Sequence, residues 1–444
     1  MKNLLKPLSL ALFVAATLLT QSACNRTSPH FCKAIGGPEG EWGNSLIQTS
    51  DSGYAIAGAT ISFGAGGGEV YVVKLDANGN LQWTKTIGGP ESEWGKSLIQ
   101  TSDGGYAIAG FTTSFGAGKE DVYVVKLDAN GNLQWTKTIG GPEYDWGNSL
   151  IQTSDGGYVI AGYTTSFGAG KADVYLVKLD AKGNLQWTKT IGGPEGEAGF
   201  SLIQTSDDGY AIAGIIISFD LEEGDIYDDV YVVKLDANGN LQWTKTIGGE
   251  SWDWGYSLLQ TSDGGYAIAG STQSFGAGLS DAYLVKLDAN GNLQWTKTIG
   301  GPKSESGRSL IQTSDGGYAI AGYTKSFGAG EDDVYVVKLD ANGNLQWTKT
   351  IGGPDSEEGV YLIQTSDGGY AIAGTTRSFG AGETDVYFIK LDKNGDACCA
   401  LSQTSQVGSG GRLRSATSSI GSGGTLSPPT PSTSSGSTLT NQCP

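Results

Sequence analysis

Histidine and methionine are almost missing: His30 and Met1 are single representatives among 444 residues. A lone imidazole gives a His-rich zinc centre no second ligand. It also lies outside the repeated part of the chain, which argues against a Ser-His-Asp triad. Basic residues are scarce. Lys and Arg total 28 against 46 Asp and Glu, for a formal charge of −18. A field of that sign repels duplex nucleic acid and argues against it as a partner. The full Gly-x-x-x-x-Gly-Lys-Ser/Thr phosphate loop is absent, since Gly95-Lys96-Ser97 has Pro90 where that motif has glycine, and no stretch has helical period. Cysteine is limited to Cys24, Cys32, Cys398, Cys399 and Cys443, all outside the repeats, which fits an oxidising compartment.

Long apolar runs are absent except near the start. Lys2 and Lys6 precede an apolar run from Leu8 to Leu19. That run is too short for a permanent bilayer span and suits the h-region of a signal peptide, assigned to residues 1–23. Residues 24–30 follow as a short linker. Ser22-Ala23-Cys24 resembles the end of a bacterial lipobox, which would make Cys24 a lipidated N-terminus, although Gln21 stands where that pattern has an aliphatic residue. Ordinary cleavage is the alternative. Either way the chain is expected to be exported, as a cell-envelope lipoprotein or secreted. The lipid is its only expected membrane contact. Residues 402–444 are Ser, Gly, Thr and Pro with few large apolar residues, a composition that predicts a disordered tail.

Between these ends stand seven near-identical copies of one segment. Gly-Gly pairs mark the register at Gly36, Gly88, Gly140, Gly192, Gly248, Gly300 and Gly352. A repeat of this length implies an array or ring of equal units. In the second copy, Ser97–Thr101, Tyr106–Thr112, Asp121–Asp128 and Leu133–Ile139 are expected strands. Asp-Gly-Gly and Asn-Gly turns separate the first pair and the last pair. Four antiparallel strands per copy predict an all-β, seven-bladed β-propeller over residues 31–401.

The ends of the array point to closure. The seventh copy stops after Asp396 and lacks the Leu-Gln-Trp-Thr-Lys-Thr-Ile strand. Phe31-Cys32-Lys33-Ala34-Ile35 aligns with Trp83-Thr84-Lys85-Thr86-Ile87. The N-terminal strand is therefore expected to complete blade 7. This brings Cys32 near Cys398 and Cys399, and a disulfide from Cys32 to one of them is expected. Lys-Leu-Asp-Ala-Asn-Gly-Asn-Leu-Gln-Trp resembles the Asp…Gly…Trp signature of quinoprotein-type propellers, with one residue fewer between Asp and Trp. The whole repeat looks like those of exported bacterial and archaeal propeller proteins of unassigned function. That resemblance implies the fold and is almost silent on activity.

Periodic residues are mostly structural. Trp83 and its counterparts belong to blade docking, and Lys126 with Asp128 to a blade lysine and a hairpin. Asp128, Asn130 and Asn132 do not form an EF-hand, because Gly131 is fourth, not sixth, and no distal Glu follows. The loop entering each copy varies. It carries Glu41, Glu93, Asp145, Glu197, Asp253, Glu305 and Glu357, followed by Trp42, Trp94, Trp146 and Trp254 in four copies. Carboxylates and indoles on one rim suit sugars or cations; a solvated rim is the plain alternative. The fourth copy inserts Asp220, Glu222, Glu223, Asp225, Asp228 and Asp229, six carboxylates suited to calcium or to nothing. The leading expectation is a monomeric, non-enzymatic binding or scaffold module without a resident cofactor, meeting a protein or glycan at its loop-bearing top face. A carbohydrate- or calcium-binding protein comes next. A propeller glycosidase or quinone-dependent dehydrogenase comes last, since near-identical copies supply few unlike residues to one point.

Overall fold

A computed structural model describes residues 30–397 except 65 and 220–225, and the backbone of short strands between 400 and 442. Among the described residues there is no helix, and the strands form seven antiparallel sheets. Each sheet holds four strands from the repeat, here called A to D from the channel outward. Blade 2 consists of Glu93–Gln100, Tyr106–Thr112, Asp121–Leu127 and Leu133–Gly140.

Strand A begins at the acidic residue, four positions earlier than the sequence suggests. A bulge between Gly95 and Ser97 breaks the alternation there and hides the strand. The bulge needs glycine across from it: a Cβ on Gly110 would stand 1.7 Å from the Trp94 carbonyl oxygen. The other three strands lie where the turn chemistry puts them. Gly131 of the Asn-Gly hairpin has φ +77°, in the left-handed region.

Blades stack through unlike faces. At the junction of blades 1 and 2, blade 1 presents Ala55, Ala57, Val70, Val72 and Ile87. Blade 2 answers with Leu98, Tyr106, Ile108, Tyr123, Val125 and Leu127. Small against large lets the two sheets interdigitate at crystal-like density. Trp83 of strand D reaches over Tyr106 of the next blade, with ring centroids 5.8 Å apart and planes at 74°. An edge-on aromatic pair adds about 0.5–1.5 kcal/mol beyond its burial. The Trp is thus a blade-docking residue.

The ring closes as the sequence predicts. Phe31–Gly36 pairs antiparallel with Asp385–Leu391 and takes the strand D place of blade 7. Ile35, Ala371, Ala373, Val386 and Phe388 then meet Leu46, Tyr54, Ile56 and Tyr71 of blade 1 in the same small-on-large contact. Phe31 replaces the tryptophan. It lies against Gly79 as Trp83 lies against Gly131. The Glu41 amide donates to the Thr384 carbonyl at 2.8 Å, and the Ser366 amide to Gln48 Oε1 at 2.9 Å, across the closure.

Residues 402–444 have the composition of a disordered segment. Seven short strands occupy it, and each pairs with the outermost strand of one blade, making every sheet five-stranded.

Two outcomes test the closure. Deleting residues 31–35 leaves blade 7 without strand D and removes half-buried Phe31 and fully buried Ile35, the latter alone at about 1.5–3 kcal/mol. Calorimetry is expected to show a large fall in melting temperature; a variant that melts like the parent contradicts the closure. Cys32 is disulfide-bonded, and Cys24, Cys398, Cys399 and Cys443 all lie outside the described residues. Non-reducing peptide mapping is expected to join Cys32 to Cys398 or Cys399, a staple of about 4–5 kcal/mol in the chain-entropy picture. Recovery of Cys32 joined to Cys24 or Cys443, or as a free thiol, contradicts that pairing.

Candidate functional site

The seven rim acids are not on an open rim. Glu41, Glu93, Asp145, Asp253, Glu305 and Glu357 are fully buried, and Glu197 nearly so. Each heads strand A and turns back under its own Gly-Gly loop. Glu93 Oε2 accepts from the Gly89 amide at 2.7 Å, and Oε1 from Thr112 Oγ1 at 2.6 Å. A second buried carboxylate, at the head of strand C of the preceding blade, meets it there. A Cβ on Gly88 would stand 2.1 Å from Glu69 Oε2 and 2.3 Å from Glu93 Oε2. Glycine is required because two carboxylates fill the space. The arrangement recurs at Gly140 with Asp121 and Asp145, and at Gly192 with Asp173 and Glu197. Burial, with the Asp145 charge adding to it, raises Asp121 to about 6 even though the Gly118 and Ala117 amides oppose the rise. Burial likewise raises Glu197 to about 7 against the Gly193 amide, with Asp173 adding.

At the other end of the blades, each Lys of Lys-Leu-Asp is buried and salt-bridged to the turn between strands A and B. Lys126 lies 2.9 Å from Asp103 Oδ2. Partial burial pushes Asp103 up, but hydrogen bonds from Thr101, Lys126 and the Gly105 amide, with the Lys126 charge, bring it down to about 2. The same lysine–aspartate pair occurs in all seven blades.

The surface free to vary is the channel mouth. Three residues after each rim acid, strand A places Asn44, Lys96, Asn148, Phe200, Tyr256, Arg308 and Val360 into a central cavity of about 670 Å³. On the blade 1–3 side the rings form a ladder. Trp42 and Trp94 centroids are 4.9 Å apart, Phe111 and Trp146 stack at 4.3 Å, and Trp146 meets Tyr163 at 5.3 Å. Lys96 Nζ sits over Trp94, Phe111 and Trp146 at 5.3, 5.9 and 5.8 Å. Burial lowers its pKa. Across the channel, the Arg308 guanidinium lies 4.2 Å from the Tyr256 ring and 5.7 Å from Tyr323. Trp252 is 44% exposed and Tyr144 40% exposed at the loops above.

Trp42, Trp94, Trp146 and Trp254, expected at the rim, are therefore half-buried members of this mouth. The Trp146 indole N–H donates to Glu120 and that of Trp254 to Asp228 Oδ2, the latter at 2.8 Å. Asp229 is the buried strand C acid that faces Asp253 at Gly248. Asp220, Glu222, Glu223 and Asp225 lie outside the described residues, as do Cys24, Cys398 and Cys399. Among the described residues, no three His, Cys, Asp or Glu side chains are grouped to hold a metal ion. The strand A position of Lys96 and Arg308, and the strand B position of Phe111, Tyr163 and Tyr323, were not singled out from the sequence. Their signal was present: six different residues fill the first position in seven otherwise near-identical copies.

The family described as outer membrane protein assembly factor BamB matches residues 42–230, and a β-propeller domain of unknown function matches residues 313–345. The regulatory protein FlaEY of Caulobacter vibrioides is 30% identical over 138 residues, covering 28% of this chain and 14% of that protein. The chain thus spans about a seventh of that relative's length. Among solved structures, Sqt1 from Chaetomium thermophilum has a TM-score of 0.45 at 11% identity, covering 81% of this chain and 98% of that one. The NanB sialidase from Streptococcus pneumoniae has 0.41 at 11%, covering 84% and 72%. The chain is a β-propeller repeat protein.

The buried carboxylates and the lysine–aspartate pairs have opposite pH signatures. Asp121 and Glu197 are raised when folded, so their contribution is full below the unfolded value near 4 and is lost as pH rises through about 6 to 7. Asp103 and its counterparts are lowered, so theirs is full above about 4 and is lost as pH falls through about 2. Melting temperature is therefore expected to peak near pH 4–5 and to fall toward pH 8 by on the order of 5 °C. The pair Asp121→Asn and Glu197→Gln is expected to flatten the alkaline side. A parent protein more stable at pH 8 than at pH 5 contradicts this assignment.

Proposed function

We propose that the ring is an exported, non-enzymatic binding module whose ligand seats in the channel mouth. The carrying observation is where the copies differ. The turns between strands A and B and between C and D are nearly identical from copy to copy. Differences gather in the loop before strand A, at the two channel-mouth positions, and in the loop after strand B. All of these belong to one face. Substitution without a role would fall on both faces alike, since both are solvated.

The chemistry of the mouth favours a carbohydrate chain bearing carboxylates. Trp94, Trp146 and Tyr256 offer aromatic surface for stacking on sugar rings, buried Phe111 backs the two indoles, and Lys96 and Arg308 offer positive charge in a strongly acidic protein. A cation held over aromatic rings is already positioned, so little side-chain entropy is lost when an anion arrives. The buried state of the rim acids supports a binding role over a glycosidase one. Two carboxylates flanking a scissile bond must face the sugar, and these are committed to backbone amides beneath the loops. Calcium would bridge such a ligand only through the inserted loop of blade 4, where Asp228 is engaged by the Trp254 indole.

An array of neutral and uronate-bearing oligosaccharides, probed with and without millimolar calcium, tests the reading. Uronate-bearing chains are expected to bind. Lys96→Ala and Arg308→Ala are each expected to weaken binding about tenfold, or 1.4 kcal/mol, with melting temperature little changed. Binding that survives both substitutions, or an array with no acidic binder, contradicts it.

A further inference from the structure

The tail after the seventh copy contains a hidden seven-fold pattern of its own. Its strands are Ala400–Gln403, Gln406–Gly408, Arg412–Arg414, Ser419–Gly421, Thr425–Ser427, Ser432–Ser434 and Thr438–Gln442. They pair in turn with the outermost strands of blades 6, 5, 4, 3, 2, 1 and 7. The chain therefore runs once around the outside of the ring, against the order in which the blades were laid down.

The register repeats at nearly every stop. In strand D of each repeat, one isoleucine ends the Trp-Thr-Lys-Thr-Ile run. Val407 stands opposite Ile299, Leu413 opposite Ile247, Ile420 opposite Ile191, and Leu426 opposite Ile139. Thr433 stands opposite Ile87 and Leu439 opposite Ile35. At blade 6 the tail is displaced by one, with Ala400 opposite Ile351 and Leu401 next to it.

The sequence carries the same period independently of any pairing. From Leu401 to Pro444, the leucines, isoleucines and valines are Leu401, Val407, Leu413, Ile420, Leu426 and Leu439. Five of these six fall on the register position, and Leu401 falls one residue away. Val407-Gly-Ser-Gly-Gly-Arg-Leu413 and Ile420-Gly-Ser-Gly-Gly-Thr-Leu426 are two copies of one unit. Steps of six or seven residues at ~3.3 Å each reach about 20–23 Å. That exceeds the ~10 Å spacing of packed sheet faces, as it must at the outer rim, where blades fan apart. A tail serving only as a spacer has no need of an apolar residue at six of the seven blades, blade 1 receiving Thr433 instead.

We propose that the outer edges of the seven blades form a single strand-docking surface, and that its occupant is this chain's own residues 400–442. Strand D alone would leave seven rows of unpaired N–H and C=O groups around the molecule, an invitation to edge-to-edge association. The belt satisfies them in cis. Its last strand lies beside Phe31–Gly36, so both chain ends add to the closing blade. The same geometry fixes what an open edge accepts: an extended segment with an apolar residue every six or seven positions, which the tail of a second copy provides.

Hydrogen exchange followed by mass spectrometry on the full chain tests this. Amides of residues 406, 408, 412, 414, 419, 421, 425 and 427, which face strand D, are expected to exchange at least tenfold more slowly than those of the segments between them. A full-length variant with Gln406→Pro, Arg412→Pro, Ser419→Pro and Thr425→Pro, opposite Gly300, Gly248, Gly192 and Gly140, removes four ladder donors. It is expected to lose that protection and to associate with concentration in sedimentation, and a synthetic peptide of residues 400–442 is expected to reverse the association. A control with Ser409→Pro, Ala416→Pro and Ser422→Pro, all between the paired segments, is expected to behave like the parent. Tail amides that exchange at unprotected rates in the parent overturn the proposal, as does a four-proline variant that stays protected or monomeric.

Discussion

Everything in this ring depends on two sheet faces of unequal relief. One face of each blade is Ala and Val; the other is Tyr, Ile and Leu. A blade cannot dock on its own kind in any other orientation without stacking large on large or leaving voids, and both are costly in a close-packed interior. The contact therefore fixes a direction around the axis and is repeated until the first blade meets the last. Phe31 shows how strict the rule is. The closing strand comes from the opposite end of the chain, yet it still places an aromatic ring on the next blade's turn glycine, where Trp83 and its counterparts sit elsewhere.

Charges are subordinate to that packing and arranged at its two ends. On one side, seven buried lysines reach turn aspartates that remain half in water. On the other, seven pairs of carboxylates converge beneath the Gly-Gly loops, where backbone amides and threonine hydroxyls receive them. The first set tolerates neutral pH and suffers in acid. Within the second set, burial raises Asp121, Asp173, Glu197, Asp253, Asp281, Asp333 and Asp385, which are favoured when protons are available. Burial of like charges at every junction is an unusual choice for a protein already strongly acidic, and it ties blade stacking to the pH of the surroundings.

Much of the fold was legible from the chain. Gly-Gly and Asn-Gly marks gave blade number and turn positions, and the orphan segment at Phe31 gave closure. Strand A was read four residues short, because the Gly95–Ser97 bulge breaks the alternation on which strand reading relies. The rim acids were legible as a set, but not their burial, since a charged residue in a Gly-rich loop looks solvated until a neighbouring blade covers it. The period of the tail is hidden for a related reason. Composition treats Val407, Leu413 and Ile420 as stray apolar residues in a polar segment, whereas their spacing matters only against a ring of edges. Lys96, Phe111 and Arg308 went unnoticed because attention fell on what the copies share.

That last point carries the functional account: shared residues build the ring, and unshared ones at the channel mouth are free to serve a ligand. The most direct measurement is calorimetry, paired with acidic-oligosaccharide binding, on a symmetrised chain. In that chain Lys96, Phe200, Tyr256, Arg308 and Val360 are all changed to Asn, as already found at Asn44 and Asn148. The account predicts a melting temperature within a few degrees of the parent, on the order of 1–2 kcal/mol, and loss of binding. A symmetrised chain that unfolds far below the parent, or one that binds as the parent does, would show that the two sets of residues are not separate.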